Sequence, residues 1–322
     1  MYNNMSFAPG ALPSRNTAVV GSAQTVRPSA TALFSVNSAD RFRNYAEERD
    51  GTTTPYDFVI RKQENLLSGF FSRIAVSEIQ FNMTLPNVQG STTQIVVDTI
   101  VGGVPTETII DFSAEEGFYT PAEFATAFQN VIRLIPGMAG FTMVYGLDNQ
   151  PIFVYDTNSL NTISFSPVDE SGTFPYGNDR IQLFDMLGFK TGVNDLVSIT
   201  NSGEPTFFQK YRFFDFVSTI LTGNQALKDA TSAPIDRNVL CRLYVEDGTN
   251  QHVSVNDPDF SPNGTQPFTI YRQFSTPKQI AWDGRQPIGQ VNFQVYDQDG
   301  YLLSGGDYVG GDFQMTLLVS EN

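Results

Sequence analysis

The chain has 322 residues, of which 40% are hydrophobic and only 16% are charged, and its net charge is -15 at pH 7. An acidic surface repels phosphate backbones, so we expect that the folded body does not bind nucleic acid. No apolar run approaches the roughly 18 residues that span a bilayer, and the N-terminus lacks the order of a signal peptide, so we expect a soluble chain that does not span a membrane and is not secreted.

Residues 1–39 differ from the rest of the chain in charge. They contain Arg15 and Arg27 and no acidic residue, a net charge of +2 that leaves -17 for the remaining residues. Prolines interrupt this Ala- and Ser-rich stretch and exclude a continuous helix. Because apolar residues recur in it, we predict an extended N-terminal arm over residues 1–40, of which residues 1–39 mostly lack contacts with the body; a disordered tail is the alternative.

From Tyr56 onward, short apolar stretches with a two-residue rhythm predict β-strands. Gly102 and Gly103 separate two of these stretches and predict a hairpin. Residues 181–187 predict a short helical turn. The predicted strands cover residues 57–61, 74–85, 93–101, 106–112, 141–145, 152–155, 162–165, 211–220, 239–245, 268–274, 290–296 and 313–319.

One clear α-helix is predicted after residue 120. Thr120 is a good N-cap, Pro121 suits the first helical position, and Glu123 completes a capping box. Apolar residues then recur at helical spacing as far as Ile135, before Pro136. We expect this helix to pack across one end of a sheet.

About a dozen strands with one good helix predict an all-β sandwich or barrel, because βαβ units would need a helix between each pair of strands. We predict that residues 41–322 form this body. Residues from about 106 to 191 exceed what eight strands need, so we expect them to form an inserted lobe of helix and hairpins, on the outside or on a flank.

Few residues could support catalysis. Catalysis by Ser-His-Asp or Cys-His arrangements needs a histidine, and the only one, His252, lies in a polar turn. Cys241 is the only cysteine, so the chain has no internal disulfide and too few ligands for a zinc site. We therefore expect no enzymatic activity and no cofactor, although a pair of carboxylates as in glycosidases stays open.

Four aspartates are weak calcium candidates. Asp297 and Asp299 resemble the start of a calcium loop, but its twelfth position is Tyr308 where an EF-hand needs Glu. A β-turn at Asp299 is therefore the favoured interpretation. Asp307 and Asp312 lie among glycines and are also interpreted as turn residues.

Four stretches, taken in their order along the chain, resemble the penton (vertex) or minor capsid proteins, with a single jelly roll, of large icosahedral double-stranded DNA viruses and their virophages. The stretches are residues 66–87 with the strand RIAVSEIQF and the closing LPN, residues 118–124 (FYTPAEF), residues 187–189 (LGF) and residues 291–300 (VNFQVYDQDG). Together they organise most of residues 56–319. The match is one of pattern, and it carries over no catalytic residue.

The resemblance implies a structural virion protein: a single jelly-roll sandwich that stands upright at a fivefold vertex as a homopentamer. It implies major and minor capsid proteins as partners, through the N-terminal arm and the sides of the roll. It also implies a location in the capsid after synthesis in the host cytoplasm.

Three alternatives stay open. The first is a minor capsid or cement protein on the same roll. The second is a receptor-binding fibre head, which could use exposed aromatic residues such as Tyr176, Trp282 and Tyr301. The third is a glycan-active enzyme with two catalytic carboxylates.

Overall fold

The structure is a computed structural model that describes residues 31–42, 54–61, 66, 71–145, 151–154, 162–168, 173, 182–189, 201–202, 208–223, 239–245, 268–283, 287–303 and 311–321. Strands dominate these residues, which confirms the predicted all-β class. The strands are β1 Thr31–Asn37, β2 Asp57–Arg61, β3 Arg73–Met83, β4 Gln94–Val101, β5 Val104–Asp111, β6 Thr142–Tyr145, β7 Pro151–Val154, β8 Thr162–Ser166, β9 Asn201–Ser202, β10 Phe213–Val217, β11 Val239–Tyr244, β12 Phe268–Gln273, β13 Ile280–Ala281, β14 Gln290–Asp297 and β15 Phe313–Ser320. The α-helices are α1 Pro121–Ile132 and α2 Leu183–Met186, and 3-10 turns cover Ser38–Phe42, Gly90–Thr92 and Ser113–Glu115.

Two sheets form a sandwich. Sheet A has the strand order β11-β10-β14-β2, and sheet B has the order β12-β3-β15-β1, with β13 also paired to β3. All neighbouring strands in both sheets are antiparallel. Because the chain crosses between the sheets from β1 to β2, from β2 to β3 and from β14 to β15, the arrangement is a jelly roll. The predicted single jelly roll is confirmed.

Aromatic side chains fill the space between the two sheets. The ring centroids of Phe81 in β3 and Phe214 in β10 are 4.8 Å apart, and those of Phe58 in β2 and Phe313 in β15 are 5.8 Å apart. All four side chains are almost fully buried. Their burial removes large apolar surfaces from water and holds sheet A against sheet B.

Strand β1 corrects the predicted arm. It pairs with β15 along its whole length, from Thr31 opposite Ser320 to Asn37 opposite Gln314, and Val36 is only 2% exposed in the core of the roll. The prediction that residues 1–39 mostly lack contacts with the body is therefore wrong for residues 31–37. The physical reason is that Phe34 and Val36 pack against the core of the roll while the strand covers the otherwise unpaired edge of β15. Residues 1–30 lie outside the described residues.

A second hydrophobic core lies in the insertion lobe, which we define as the chain between β3 and β10, residues 84–212. Sheet C, with the order β5-β4-β8, and sheet D, with the order β9-β7-β6, belong to it. Gly102 and Gly103, with φ of 59° and 85°, form the two-residue turn between β4 and β5, as predicted. Buried residues of this core run from Val88 to Phe208, a wider span than the insertion predicted at about residues 106–191. The division of the chain into domains stays a prediction.

Helix α1 begins as the sequence predicts. The Thr120 Oγ1 atom accepts a hydrogen bond from the Glu123 amide at 3.1 Å, and Glu123 Oε2 accepts one from the Thr120 amide at 2.9 Å. Phe124, Phe128 and Ile132 are fully buried in the second core. The apolar stripe thus packs the helix against the sheets of the insertion lobe.

The two ends of the roll are occupied by different parts of the chain. The insertion lobe leaves after Met83 and returns at Phe213, at the end we call the insertion pole. At the opposite end, the arm pole, Thr31 pairs with Ser320, and Ser320 pairs with Arg73. The segment that precedes β1 and the insertion lobe therefore leave the roll at opposite ends.

Candidate functional site

The predicted calcium candidates belong to the connection between β14 and β15 at the insertion pole. Asp297 is the last residue of β14, Asp299 follows in a turn, and Asp312 directly precedes β15. Asp307 lies outside the described residues. The topology thus brings the described candidates to one end of the roll.

Asp297 is used by the turn that follows it. Its Oδ1 atom accepts hydrogen bonds from the backbone amides of Asp299 at 3.0 Å and Tyr301 at 2.8 Å. The Gly300 amide donates to the Asp297 carbonyl at 3.1 Å, and Gly300 has a φ of 95°, so the predicted β-turn is confirmed. Burial raises the pKa of the Asp297 carboxyl above its usual value, and these amide bonds partly offset that effect.

Asp312 links the two chain segments that begin β15 and end β1. Its Oδ1 atom accepts the Ser38 hydroxyl at 2.8 Å, and the same hydroxyl oxygen accepts the Phe313 amide at 2.9 Å. Among the described residues, no group of three or more acidic, histidine or cysteine side chains could hold a metal ion. Calcium binding by any of the four aspartates stays a prediction.

The other residues singled out in the sequence are dispersed. His252 and Tyr176 lie outside the described residues. Cys241 is buried in β11 against the core of the roll, and burial raises the pKa of its thiol. Trp282 is partly buried at the arm pole, whereas Tyr301 follows the turn at the insertion pole. No catalytic arrangement is formed by the described members of this set.

The half of the outer face of sheet B nearer the insertion pole is polar and almost uncharged, whereas the half nearer the arm pole carries Leu33, Leu318 and Arg73. The side chains of the polar half point away from the core because they alternate with buried residues. Among these side chains, only Glu78 is charged. The set, which we call the sheet B face, is Ser35, Glu78, Gln80, Asn82, Thr269, Tyr271, Gln273, Gln314 and Thr316. A surface of this composition stands out in a chain with a net charge of -15.

Two hydroxyl groups hold the Glu78 carboxylate. Tyr271 donates to it at 2.7 Å from β12, and Thr316 donates to it at 2.9 Å from β15. The hydrogen bond from Tyr271, followed by that from Thr316, lowers the pKa of Glu78. The Glu78 carboxylate therefore links β3 to its neighbours β12 and β15 across the outer face of sheet B.

The outer face of sheet A carries an ion pair that sequence reasoning missed. Asp215 in β10 is 1% exposed, and its two carboxylate oxygens accept bonds from Arg242 Nε at 2.7 Å and Arg242 Nη2 at 2.9 Å. The guanidinium carbon lies 3.9 Å from the ring centroid of Phe213. The only sequence signal was an acidic residue inside an otherwise apolar strand, and its partner lies on another strand 27 positions away.

A groove opens at the arm pole between the chain that follows β10 and the chain that precedes β14. It has a volume of about 450 Å³. Apolar side chains of Ile220, Trp282, Pro287 and Ile288 line it, and none of the described lining residues is charged. We call this feature the Trp282 groove. Sequence reasoning named Trp282 as an exposed aromatic residue but did not place it in a groove.

A solved structure shares this architecture. The crystal structure of the mavirus penton protein aligns with 92% of this chain and 100% of its own, with a TM-score of 0.53 and 11% sequence identity. The chain has the fold of a virus penton protein. The resemblance stated from the sequence is thereby confirmed at the level of the fold.

A chain in the cryo-EM structure of the Sputnik virophage aligns with 91% of this chain and 98% of its own, with 13% identity and a TM-score of 0.43. No protein-family model matches the sequence, and no curated protein matches it. No described helix is long and apolar enough to cross a membrane.

Proposed function

We propose that this protein is a structural component of a virion, the penton that forms the fivefold vertex of an icosahedral capsid. The observation that carries the proposal is the jelly roll with a large insertion between β3 and β10, in a chain that aligns over 92% of its length with a penton protein. Such a protein functions through its position in the capsid and its contacts there, and its partners are copies of itself and neighbouring capsid proteins.

The two poles support this assignment. A vertex protein needs one end toward the shell interior and one end toward the outside, and the roll has a chemically different segment at each end. The insertion lobe occupies one pole, and the acid-free N-terminal segment leaves from the other. We infer that the arm pole faces inward, where that segment contacts neighbouring major and minor capsid proteins.

The sheet B face supports lateral packing of the rolls. Acidic bodies repel one another, so subunits that pack side by side need contact surfaces with little charge. The sheet B face has one carboxylate among nine residues, and two hydroxyl groups from neighbouring strands bond it. A repeated heterologous contact of this face with the next roll closes a ring when the rotation between subunits is one fifth of a turn.

The proposal includes the absence of enzymatic activity. Two of the most buried carboxylates among the described residues have structural partners, because backbone amides bond Asp297 and Arg242 bonds Asp215. We expect that His252→Ala leaves assembly unchanged. A measurable activity that this variant loses would contradict the assignment.

The decisive experiment is the mass of the purified protein in solution, followed by electron microscopy of the particles. We expect a homopentamer at moderate protein concentration, and incorporation at fivefold vertices when the other capsid proteins are present. A stable trimer would instead indicate a fibre head. A monomer that hydrolyses glycans would indicate an enzyme with two carboxylates.

A further inference from the structure

The Trp282 groove lies close to the point where the N-terminal segment enters the roll. At the arm pole, the Trp282 amide donates to the Ser72 carbonyl at 2.9 Å, and the Ser72 amide donates to the Ser320 carbonyl at 3.0 Å. Ser320 in turn pairs with Thr31. These contacts place Trp282 and Thr31 three strand positions apart, a distance of about 14 Å.

Residues 1–30 can reach this groove within the same chain. An extended chain covers roughly 3.3 Å per residue, so about five residues before Thr31 are enough to span the distance. Residues 1–26 are therefore available to occupy the groove itself. Tethering at so short a distance gives these residues a high effective concentration at the groove, which favours the chain's own segment over that of another copy.

The side chains of the two partners are complementary. The segment has no acidic residue and contains Pro9 and Pro13 among apolar residues such as Phe7. The groove offers the indole of Trp282 among described lining residues that carry no charge, and grooves lined by aromatic residues are typical binding sites for extended, proline-bearing segments. The net charge of +2 in residues 1–39 also favours contact with a body of net charge -17.

We propose that the Trp282 groove binds the N-terminal segment of the same chain, through apolar and proline side chains within residues 1–26. Docking in the groove buries the apolar side chains of the segment in the free subunit. If they were exposed there, these side chains would promote aggregation. During capsid assembly the segment leaves the groove and contacts neighbouring subunits. The docking itself concerns the free subunit and does not depend on the proposed function.

The first experiment uses the fluorescence of Trp282, the only tryptophan of the chain. In the full-length protein we replace five apolar residues by serine, a change outside the described roll, so loss of folding does not confuse the result. We expect a red shift of the Trp282 emission because water enters the groove. The substituted residues are Phe7, Leu12, Val19, Val20 and Val26, and a control variant replaces Asn3, Asn4 and Asn16 by serine and leaves the emission unchanged.

The second experiment changes a residue of the groove and measures how fast trypsin cleaves the N-terminal segment. Arg15 is the trypsin site of residues 1–39, because Pro28 follows Arg27 and blocks cleavage there, so docking of the segment slows cleavage after Arg15. We expect Ile220→Ser to increase the cleavage rate about tenfold, because cleavage follows the population of the released segment. The matched control is Ile109→Ser, an exposed isoleucine on the insertion lobe, which leaves the rate unchanged.

Three results would overturn the proposal. The first is an unchanged emission in the serine variant, and the second is an unchanged cleavage rate in Ile220→Ser. The third is an emission difference that disappears on dilution, since this would mean that the segment of another copy occupies the groove. A protein that passes these tests but never forms pentamers would contradict the proposed function and leave the docking intact.

Discussion

Gly311 lies directly against the phenol of Tyr56, so that a Cβ at residue 311 would overlap the Tyr56 hydroxyl oxygen and lie 2.6 Å from Cζ. Tyr56 is fully buried, and Thr84 Oγ1 lies on another side of the same position, 3.2 Å from where that Cβ would be. This contact joins the segment before β2 to the segment before β15. Glycine is required here because the space is already filled and not because of an unusual φ.

Replacement of Gly311 by alanine should therefore destabilise the roll. We expect Gly311→Ala to lower the free energy of unfolding by about 3 kcal/mol, the upper range for overpacking of a buried site. Denaturant unfolding followed by tryptophan fluorescence measures the change. The control is Gly117→Ala, whose Cβ would approach only the side chain of Tyr119, at 3.3 Å. Equal losses in the two variants would contradict the steric argument.

The ion pair on sheet A should be asymmetric in its energetic effect. Arg242→Ala leaves the carboxylate of Asp215, which is 1% exposed, without its cation, and we expect a loss of about 3 kcal/mol. Asp215→Ala leaves an arginine whose side chain is 35% exposed and can turn to water, so we expect about half that loss. A double-mutant cycle of unfolding free energies measures their coupling, and losses that simply add would show that the pair is energetically unimportant.

Two carboxylates should give pH dependences of opposite sign. Burial raises the pKa of Asp297, so the folded state holds its proton more tightly and stability falls as the pH rises from the unfolded value of 3.8 to the raised pKa. Hydrogen bonds from Tyr271 and Thr316 lower the pKa of Glu78. The stability that the ionised Glu78 contributes is therefore present above pH 4.5, the unfolded pKa, and is lost as the pH falls through the lowered pKa.

The variants Asp297→Asn and Glu78→Gln test these two signs. Asparagine keeps an oxygen that accepts the amides of Asp299 and Tyr301, so Asp297→Asn should remove the fall in stability with rising pH. Glu78→Gln should instead remove the rise in stability with rising pH. Unfolding free energies measured from about pH 3 to pH 6 distinguish the variants, and slopes equal to those of the unsubstituted protein would refute both assignments.

Asn87 should be a main stabilising residue of the insertion lobe. Its side chain donates to the carbonyls of Tyr119 at 2.8 Å and Phe208 at 3.1 Å, and it accepts the Tyr119 amide at 3.0 Å. Asn87→Ala leaves three backbone groups without this partner, so we expect a loss of about 3 kcal/mol and faster hydrogen exchange at the Tyr119 amide. Asn82→Ala, which removes a single exposed side-chain contact with Thr269, is the control and should change little.

The sheet B face should control assembly. Gln80 is exposed on this face, and Gln80→Glu adds a negative charge to a chain whose net charge is already -15. We expect the dissociation constant of the proposed pentamer to increase about tenfold, and the increase to shrink at high salt. Gln279→Glu adds the same charge at an exposed position on the connection before β13 and is the control. Identical dissociation of both variants, measured by sedimentation, would place the contact elsewhere.

Local structure was predictable from the sequence because its partners are near in the chain. The capping box of α1 involves Thr120 and Glu123, and the hairpin turn needs only Gly102 and Gly103 with positive φ. The two-residue rhythm of β3 is equally local, and it agrees with the structure, in which Ile79, Phe81 and Met83 are fully buried. Each of these features depends on residues within a few positions of one another.

Strand pairing and the contacts between connections were decided by partners far away in the chain. Residues 31–37 looked like part of an arm because their partner, Phe313–Ser320, lies near the other end of the sequence. The same distance hid the pairing of Asp215 with Arg242 and the close approach of Tyr56 to Gly311. The sequence of a single strand shows its alternation of buried and exposed side chains, but it does not show which other strand it pairs with.

The sequence by itself determined an all-β chain with one capped helix, an acidic body and an acid-free N-terminal segment. Only the tertiary structure decided that β1 completes sheet B, that the insertion lobe has its own core, and that the lobe and the N-terminal segment leave at opposite poles. The physical reason is that composition and periodicity act within a few residues, whereas edges, poles and grooves exist only after distant strands have paired.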